Sequence, residues 1–530
     1  MTEAAAPLPP ARPSGGRFAA FVAAGILLSR IFGLVRQRVL AHYLGLSSSA
    51  DAFSAGFRIP NLLQNLFGEG VLSASFIPVY SRLLARGEPA EARRVASAVF
   101  AFLSLIVAVV VLAGVLATPW LIDLIAAGFE GEKRLLTIRI VRVLFPGMGL
   151  LALSAWCLGI LNSHRRFFLP YVAPVLWNIA IIVSLVAFAG RVANTELAVV
   201  AAWGSVAGSA LQLLIQLPVA LKLLGGLRPT LETGVHVRTV GRNFAPAFLG
   251  RGVVQIGAYV DTLIASLLPT GAVAALMNAQ MLYTLPVSLF GMSISAAELP
   301  EMASDAARDE AVGARLGGRL HAGLRRIAFF VVPSAAAFLA LGDVVAAALF
   351  ETGAFSRGDS IYVWALLAGS AVGLLASTMG RLYSSAFYAL HDTRTPLRFA
   401  AARVAIGIAL GALLALYGPD VLGIAPRWGA AGITVASGIG AWVEFTLLRS
   451  ALRSRLGIEQ RLGAFIATLW GCAALAALAA WGVKILLGTA HPWVMAVLVL
   501  GTFGVVYLGA TIGAGIDEAR ALVARVTRAT

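Results

Sequence analysis

Charged residues are scarce in this sequence. Aspartate, glutamate, lysine and arginine make up 12% of its 530 residues, 59% are hydrophobic, and the mean hydropathy is +0.87. Soluble domains carry about 25% charged residues, so this composition excludes a soluble enzyme, a disordered chain and a collagen-like chain. At about 30–40 residues for each helix and its loop, the chain has room for about 13–15 membrane-spanning helices.

Cysteine and the motifs of common enzymes are also lacking. The two cysteines, Cys157 and Cys472, lie in apolar runs, which excludes a disulfide framework and favours buried small side chains. There is no phosphate-binding loop, no glycine-rich dinucleotide turn and no HExxH motif. The six histidines are scattered, mostly at loop positions, and are interpreted as solvated. Asp392, beside His391, is expected to cap a helix. We therefore predict no enzyme, no metal and no cofactor.

Apolar windows of about 20 residues recur along the chain and predict an all-α polytopic membrane protein. Residues 1–16 are rich in proline, alanine and glycine and are predicted to be a disordered tail. Fourteen transmembrane helices are predicted at 18–40, 52–82, 95–119, 135–161, 171–190, 197–221, 240–267, 272–299, 320–348, 361–389, 397–418, 429–450, 462–487 and 492–515.

The basic residues explain the net charge of +16 and the pI near 10.7. With the N-terminus placed in the cytoplasm, 26 lysines and arginines lie in or near the tail and the even-numbered connections, and six lie in or near the odd-numbered ones. This alternation places both termini in the cytoplasm. The charges then serve as anchors at an anionic membrane leaflet, and nucleic acid is excluded as a partner.

The sequence repeats itself weakly at an offset of about 226 residues. The turn LNSHRRFFLP (161–170) matches ALHDTRTP (389–396) in role, and rows of small residues recur at 204–212 and 434–442. Because the offset spans six helices, the two repeats have the same topology and are parallel. We expect two six-helix lobes, 17–228 and 229–457, followed by two extra helices and a cytoplasmic tail in 458–530.

Several charged residues fall inside the predicted spans, where each costs about 2.5–3.5 kcal/mol at a helix centre. The first helix holds Arg30 and Arg36, and the second holds Arg58 followed by a polar stripe, Asn61, Gln64 and Asn65. Such a stripe predicts an aqueous cavity, and its arginines suit an anion such as a diphosphate. The alternative is a salt-bridge network around Arg58, Asp51 and Glu69. Four further arginines are expected to snorkel to the membrane surface: Arg139, Arg142, Arg381 and Arg403.

The run SRIFGLVRQRVLAHYLG…ADAFSAGFRIPNLLQNLFGEGVLSASFIPVYS (29–81) resembles the MurJ (MviN) family of lipid II flippases, in the multidrug/oligosaccharidyl-lipid/polysaccharide exporter superfamily. The turns at 160–179 and 387–396 and the segment 211–222 add to the resemblance, which covers essentially the whole chain. The resemblance implies fourteen helices and alternating access around a central cationic cavity.

By position, the resemblance implies that Arg30 and Arg36 are cavity arginines, that Arg58 is a basic residue before Pro-Asn, and that Asp51 and Glu69 are gating or salt-bridge residues. The chain also departs from the family pattern. Gln64 and Asn65 stand where the family commonly has a basic pair, Met281 stands where it has a cavity arginine, and Gly411 lies near the place of possible sodium ligands. Arg251 is our candidate substitute for the missing arginine.

The resemblance implies a flippase that moves lipid II, an undecaprenyl-diphosphate-linked disaccharide peptide, across the bacterial cytoplasmic membrane for peptidoglycan synthesis. The membrane potential, with or without a monovalent ion, would drive it. Expected partners are lipid II, membrane lipids and the cell-wall synthesis machinery. The alternatives are a related exporter of another polyprenyl-linked glycan or amphiphile, a non-transporting scaffold and, least favoured, an intramembrane enzyme.

Overall fold

The computed structural model describes residues 15–67, 69–306, 312–457, 460–488 and 490–529. Within these ranges it leaves undescribed the side chains of 15–23, 59–67, 69, 246, 247, 249–256, 306, 312–314 and 525–529. The described residues form twenty α-helices, a π-helical turn and a short 3-10 turn, so the predicted all-α class is confirmed. Most of the predicted tail, residues 1–14, lies outside the described residues.

The first eight helices form what we call the N-terminal bundle. Their bounds are α1 Gly15–Leu44, α2 Ser48–Phe67, α3 Glu69–Ser75, α4 Ile77–Ala85, α5 Pro89–Ile125, α6 Gly131–Ser163, α7 Phe168–Phe188 and α8 Asn194–Leu224. Helix α6 is the central element, because it packs on α2, α5 and α8. Helix α7 lies between α1 and α8.

The next helices form the C-terminal bundle, and the last three follow it. The bounds are α9 Val235–Ser266, α10 Ala272–Pro286, a π turn Val287–Met292, α11 Ser293–Ala306, α12 Val312–Phe350, α13 Arg357–Ala371, α14 Leu374–Ala389, α15 Arg394–Leu416, α16 Gly418–Leu422, a 3-10 turn Pro426–Trp428, α17 Gly429–Leu456, α18 Gly463–Leu487, α19 Pro492–Gly513 and α20 Asp517–Ala529. Helices α18 and α19 pack on each other and on α12.

Each of the fourteen predicted spans coincides with one helix or with consecutive helices. Ten helices in the described residues are long and apolar enough to cross a membrane, or eleven if the bent pair α13–α14 counts as one span. The number fourteen therefore stays a prediction. The three predicted spans outside this count are α1, α2–α4 and α9, each of which contains residues whose side chains are not described. They are the segments that hold Arg30, Arg36, Arg58 and Arg251.

The parallel repeat is visible in the helix bounds. Helix α6 begins at 131 and ends at 163, and α13–α14 begin at 357 and end at 389, which is an offset of 226 at both ends. The turns that follow have the same geometry, since Arg165 and His391, also 226 apart, have φ values of 59° and 58°. The same six-to-one hydrogen bond closes both turns, from Arg166 N to Leu161 O and from Asp392 N to Phe387 O.

The outer surface is suited to lipid. On α5 a stripe of large apolar side chains at helical spacing is exposed, with Leu112 at 61% and Leu116 at 65%. Because a contiguous apolar surface of this kind is unfavourable in water, it favours a hydrocarbon environment. The protein is therefore a multi-pass membrane protein, as predicted. Cys157 and Cys472 are free and buried, in agreement with the sequence.

Helices α13 and α14 meet at a bend of 43°. At the bend, Gly373 lies so close to Gly438 of α17 that a Cβ atom on Gly373 would be 2.4 Å from the Gly438 Cα. A glycine at this crossing is what allows the two helices to approach.

Candidate functional site between the two helix bundles

Arg30 and Arg36 lie on one continuous helix, α1, and their side chains take different partners. The exposed Arg30 donates from Nη1 to Ser288 Oγ at 2.8 Å, which joins the N-terminal bundle to the π turn of the C-terminal bundle. The half-buried Arg36 lies over the rings of Phe57 and Trp177, 5.5 and 5.0 Å from their centroids. Both arginines thus reach the seam, by which we mean the interface between the N-terminal and C-terminal bundles, or its wall. Their role in binding an anion stays a prediction.

Arg36 retains unused hydrogen-bonding capacity. Its buried Nε has no partner among the described residues. It lines a cavity of about 30 Å³ together with Gln37, Ser54 and Asn278. Gln37 Nε2 donates to Asn278 Oδ1 at 2.7 Å, so this cavity also lies on the seam. The stacking on Phe57 and Trp177 holds the guanidinium plane while leaving a donor available.

Arg58 is clamped to the C-terminal bundle. Its side chain is 8% exposed, and it donates from Nη1 to the Ala258 carbonyl at 2.8 Å and from Nη2 to Gln280 Oε1 at 2.9 Å. Tyr259 donates its hydroxyl to the Arg58 carbonyl at 2.7 Å. Helix α2 is thereby tied to both α9 and α10. Met281, the next residue after Gln280, is half-buried.

The polar stripe remains untested. The side chains of Asn61, Gln64, Asn65 and Glu69 and that of Arg251 lie outside the described residues. Their predicted roles in substrate binding, and in gating for Glu69, stay predictions.

Asp51 closes one end of the seam. Its carboxylate is 1% exposed and accepts hydrogen bonds from the backbone N–H of Gly271 at 2.7 Å and of Ala274 at 2.9 Å. Lys133, at the start of α6, donates to the same carboxylate at 2.6 Å. These amides are the free donors at the N-terminus of α10, where the helix dipole favours a negative charge. A residue of α2 therefore caps a helix of the other bundle.

Further bonds across the seam lie at the same end. Arg38 Nη1 donates to the carbonyls of Ala348 and Leu349 at the C-terminus of α12, at 2.8 and 2.7 Å. The Ala354 N–H donates to the His42 carbonyl at 2.7 Å, and the His42 ring lies 2.9 Å from Thr352 Oγ1. We call this region, formed by residues 38–54, 126–133, 266–274 and 348–355, the closed end.

The closed end corrects the expectation that the histidines are solvated. His42 is a partner in the closure and is not simply solvated, because the chain brings the α12–α13 loop against it. His164 and His321 also have side-chain partners, Tyr80 and Gln460. The alternative of a salt-bridge network around Arg58, Asp51 and Glu69 stays open, because the Glu69 side chain lies outside the described residues. Among the described residues, Asp51 pairs with Lys133, whereas Arg58 binds a carbonyl and an amide.

The other intramembrane arginines differ in their surroundings. Arg139 pairs with Glu196 at 2.5 Å, and Arg403 pairs with Glu444 at 3.0 Å. These two are therefore neutralised by carboxylates, which the snorkelling hypothesis did not include. Asp392 caps α15 as predicted, because its carboxylate accepts the N–H groups of Arg394 and Thr395. Within the described ranges there is no group of three or more metal-ligating side chains.

Comparison with known proteins gives consistent relatives. Residues 40–504 match the family model described as "Lipid II flippase MurJ". The "Probable lipid II flippase MurJ" of Rhizobium meliloti (strain 1021) is 32% identical over 449 residues, covering 82% of this chain and 79% of the relative. The "Lipid II flippase MurJ" of Burkholderia cenocepacia is 32% identical over 442 residues, covering 82% and 83%.

Solved structures share the fold. A structure described as "Lipid II flippase MurJ, inward closed conformation" aligns with a TM-score of 0.76 at 24% identity, covering 93% of this chain and 98% of its own. An "Inward-facing conformation of a multidrug resistance MATE family transporter of the MOP superfamily" aligns with a TM-score of 0.63 at 17% identity, covering 82% and 99%. At these identities the likeness concerns the fold alone.

Proposed function

Because this chain belongs to the lipid II flippase MurJ family, we propose that it moves lipid II from the cytoplasmic to the outer leaflet of the bacterial cytoplasmic membrane. The observation that carries the proposal is the position of Arg30 and Arg36 on one helix at the seam between two bundles, one exposed and one with a free donor. Arginine forks bind phosphate oxygens in two-pronged geometry. A diphosphate between the bundles would meet both.

The proposed mechanism is alternating access between the two bundles, 17–228 and 229–457. With both termini in the cytoplasm, as the distribution of lysine and arginine favours, the closed end faces outwards. Release to the outer leaflet then requires the Asp51 cap, the Arg38 bonds and the His42 bond to break. The lipid tail stays in the membrane while the sugar and peptide pass through the seam.

Energetically, the membrane potential suffices to bias this cycle. Moving one charge across 100 mV changes the free energy by about 2.3 kcal/mol. Two uncompensated negative charges expelled from a negative-inside cell would therefore gain about 4–5 kcal/mol per 100 mV. We propose the potential as the driving force, with or without a monovalent ion, and no enzymatic step. Contact with the cell-wall synthesis machinery belongs to the same proposal.

A second candidate is export of another polyprenyl-linked glycan or amphiphile. Met281 favours it, because a half-buried thioether beside Gln280 cannot hold a phosphate. The shared fold with a multidrug transporter is compatible with it. A scaffold without transport would leave both arginines dispensable.

Complementation tests these alternatives. A bacterium depleted of its own lipid II flippase is made to express this chain, Arg36→Ala or Arg139→Ala, with the membrane level of each measured. We expect growth with the unaltered chain and with Arg139→Ala, whose exposed pair with Glu196 lies within the N-terminal bundle, and no growth with Arg36→Ala. Growth with Arg36→Ala contradicts the proposed cavity. No growth from a well-inserted unaltered chain favours the other exporter or the scaffold.

A further inference from the structure

Five helices of the C-terminal bundle contact one another in a closed ring that the proposed site does not use. Contacts run from α9 to α10, through the π turn to α14, and on to α17, α15 and back to α9. Ionisable or hydroxyl side chains near one another inside this ring come from each of the five helices: Asp261, Tyr283, Arg381, Arg403 and Glu444. We call it the C-bundle ring.

Two of these groups already have partners in the ring. Arg403 donates to Glu444 at 3.0 Å, and the Glu444 side chain is 13% exposed. The Tyr283 hydroxyl lies 2.8 Å from Ser377 Oγ, and Ser377 is one helical turn before Arg381 on α14. Tyr283 therefore holds α10 against the face of α14 that carries Arg381.

Arg381 itself has no such partner. Its side chain is exposed, and it makes no hydrogen bond or ion pair with the described residues. Ser377, one helical turn before it on the same face of α14, is bonded to Tyr283 of α10, so this face of α14 lies toward α10 rather than toward the lipid. It is eight residues from the end of α14 at Ala389, about 12 Å along the axis, which is too far for simple snorkelling.

Packing does not require an arginine at this position. The residue 226 positions earlier, in the matching helix α6, is Ala155, which is 7% exposed. The matching helix of the other bundle thus forms with a small apolar side chain at this position of the repeat. An arginine within a membrane helix is costly, and one without a pairing partner in general marks a functional site.

Among the described arginines of this region, Arg381 is the one for which no partner is seen. Arg403 pairs with Glu444, and Arg58 is held by Ala258 and Gln280. A single free guanidinium suits one carboxylate, whereas a diphosphate carries more charge and is tethered to the lipid at the membrane. The ring lies beside the seam, because Gln280, three residues before Tyr283, binds Arg58.

We propose that Arg381 binds a carboxylate of the substrate's peptide while the diphosphate engages Arg30 and Arg36. This inference rests on the proposed function and names the second group of the substrate that the protein holds. A carboxylate in the ring would form a charge-assisted, two-pronged hydrogen bond with the guanidinium.

The test is equilibrium binding of the purified full chain to lipid II and to undecaprenyl diphosphate, which lacks the peptide. For Arg381→Gln we expect the Kd for lipid II to rise about tenfold or more, because one hydrogen bond to a charged group is lost. The Kd for undecaprenyl diphosphate should stay within twofold. The Kd of Arg381→Lys for lipid II should lie between that of the unaltered chain and that of Arg381→Gln. The control Arg139→Gln should change neither Kd.

A second measurement does not depend on a variant. Lipid II with its peptide carboxylates amidated should bind the unaltered chain about tenfold or more weakly than ordinary lipid II. The inference is overturned if the unaltered chain binds amidated and ordinary lipid II with equal affinity. It is also overturned if Arg381→Gln weakens the binding of lipid II and of undecaprenyl diphosphate equally, or weakens neither. If the unaltered chain binds neither lipid II nor undecaprenyl diphosphate, the proposed function fails, and the inference fails with it.

Discussion

Asp51→Asn is expected to open the closed end. The substitution keeps the size of the side chain but removes the charge that faces Lys133 and the amides of Gly271 and Ala274. Breaking a buried ion pair by removing one partner costs about 3–5 kcal/mol. Because Lys133 is 15% exposed and Asp51 is 1% exposed, we take the lower limit, about 3 kcal/mol. This corresponds to a shift of about 100-fold in the balance between closed and open states.

Thiol labelling reports this balance. Leu44 is 2% exposed and lines the small cavity at the closed end, so Leu44→Cys should react slowly with a membrane-impermeant maleimide. The two native cysteines are buried and give a low background. In the Asp51→Asn background the rate should rise on the order of 100-fold, because labelling follows the population of the open state.

The matched control is Asp123→Asn. Asp123 pairs with Arg134 at the same end, but the pair is exposed and lies within the N-terminal bundle, so labelling should not change. The double variant with Lys133→Gln and Asp51→Asn should label no faster than Asp51→Asn alone, because the two substitutions break the same ion pair. A rate for Asp51→Asn within twofold of the parent would refute the reasoning.

Two further predictions concern stability. Gly373→Ala should lower the midpoint of thermal unfolding in detergent, because the new Cβ would lie 2.4 Å from the Gly438 Cα at the α14–α17 crossing. The control is Gly471→Ala on α18, which should not lower the midpoint, since a Cβ there would have no neighbouring atom within 4 Å. Equal midpoints for the two variants would contradict the close crossing. Asp392 has a lowered pKa because its carboxylate accepts the backbone N–H and the hydroxyl of Thr395, with smaller contributions from the Arg394 N–H and Arg455. The stabilisation that comes with a lowered pKa is fully present at pH values above the ordinary pKa, and it is lost as the pH falls through the lowered pKa. Asp392→Asn should therefore lower the midpoint of thermal unfolding at neutral pH and have the same midpoint as the parent in acid. A difference in unfolding midpoint between Asp392→Asn and the parent that does not depend on pH would contradict this prediction.

The sequence predicts helices well here because hydrophobic length and arginine content are local properties. The fourteen windows coincide with helices, and the turn after α6 repeats 226 residues later with the same backbone geometry at Arg165 and His391. The placement of Arg30 and Arg36 at the seam also follows from their cost in lipid.

The partners across the seam could not be predicted in the same way. Asp51 meets Gly271 220 residues later, and Arg38 meets Ala348 310 residues later. Periodicity shows which face of a helix is polar, but it does not show which helix of the other bundle will lie against that face. Lys133 was assigned by its loop to the outer side, and its role in holding Asp51 appears only when the two bundles are docked.

The intramembrane arginines can be ranked by what a substrate would have to displace. Arg30 makes one exposed bond to a serine hydroxyl, whose loss costs about 1 kcal/mol, and an incoming phosphate replaces it with a stronger charge-assisted bond. The Nε of Arg58, like that of Arg36, has no partner among the described residues, but Arg58 is 8% exposed and uses both terminal nitrogens on the other bundle. Displacing it would leave the Ala258 carbonyl and Gln280 unpaired. Substrate binding in this conformation should therefore begin at Arg30 and the free donor of Arg36. The Arg58 clamp should yield only when the bundles move, which makes it a restraint on the conformational change rather than a first contact for the substrate.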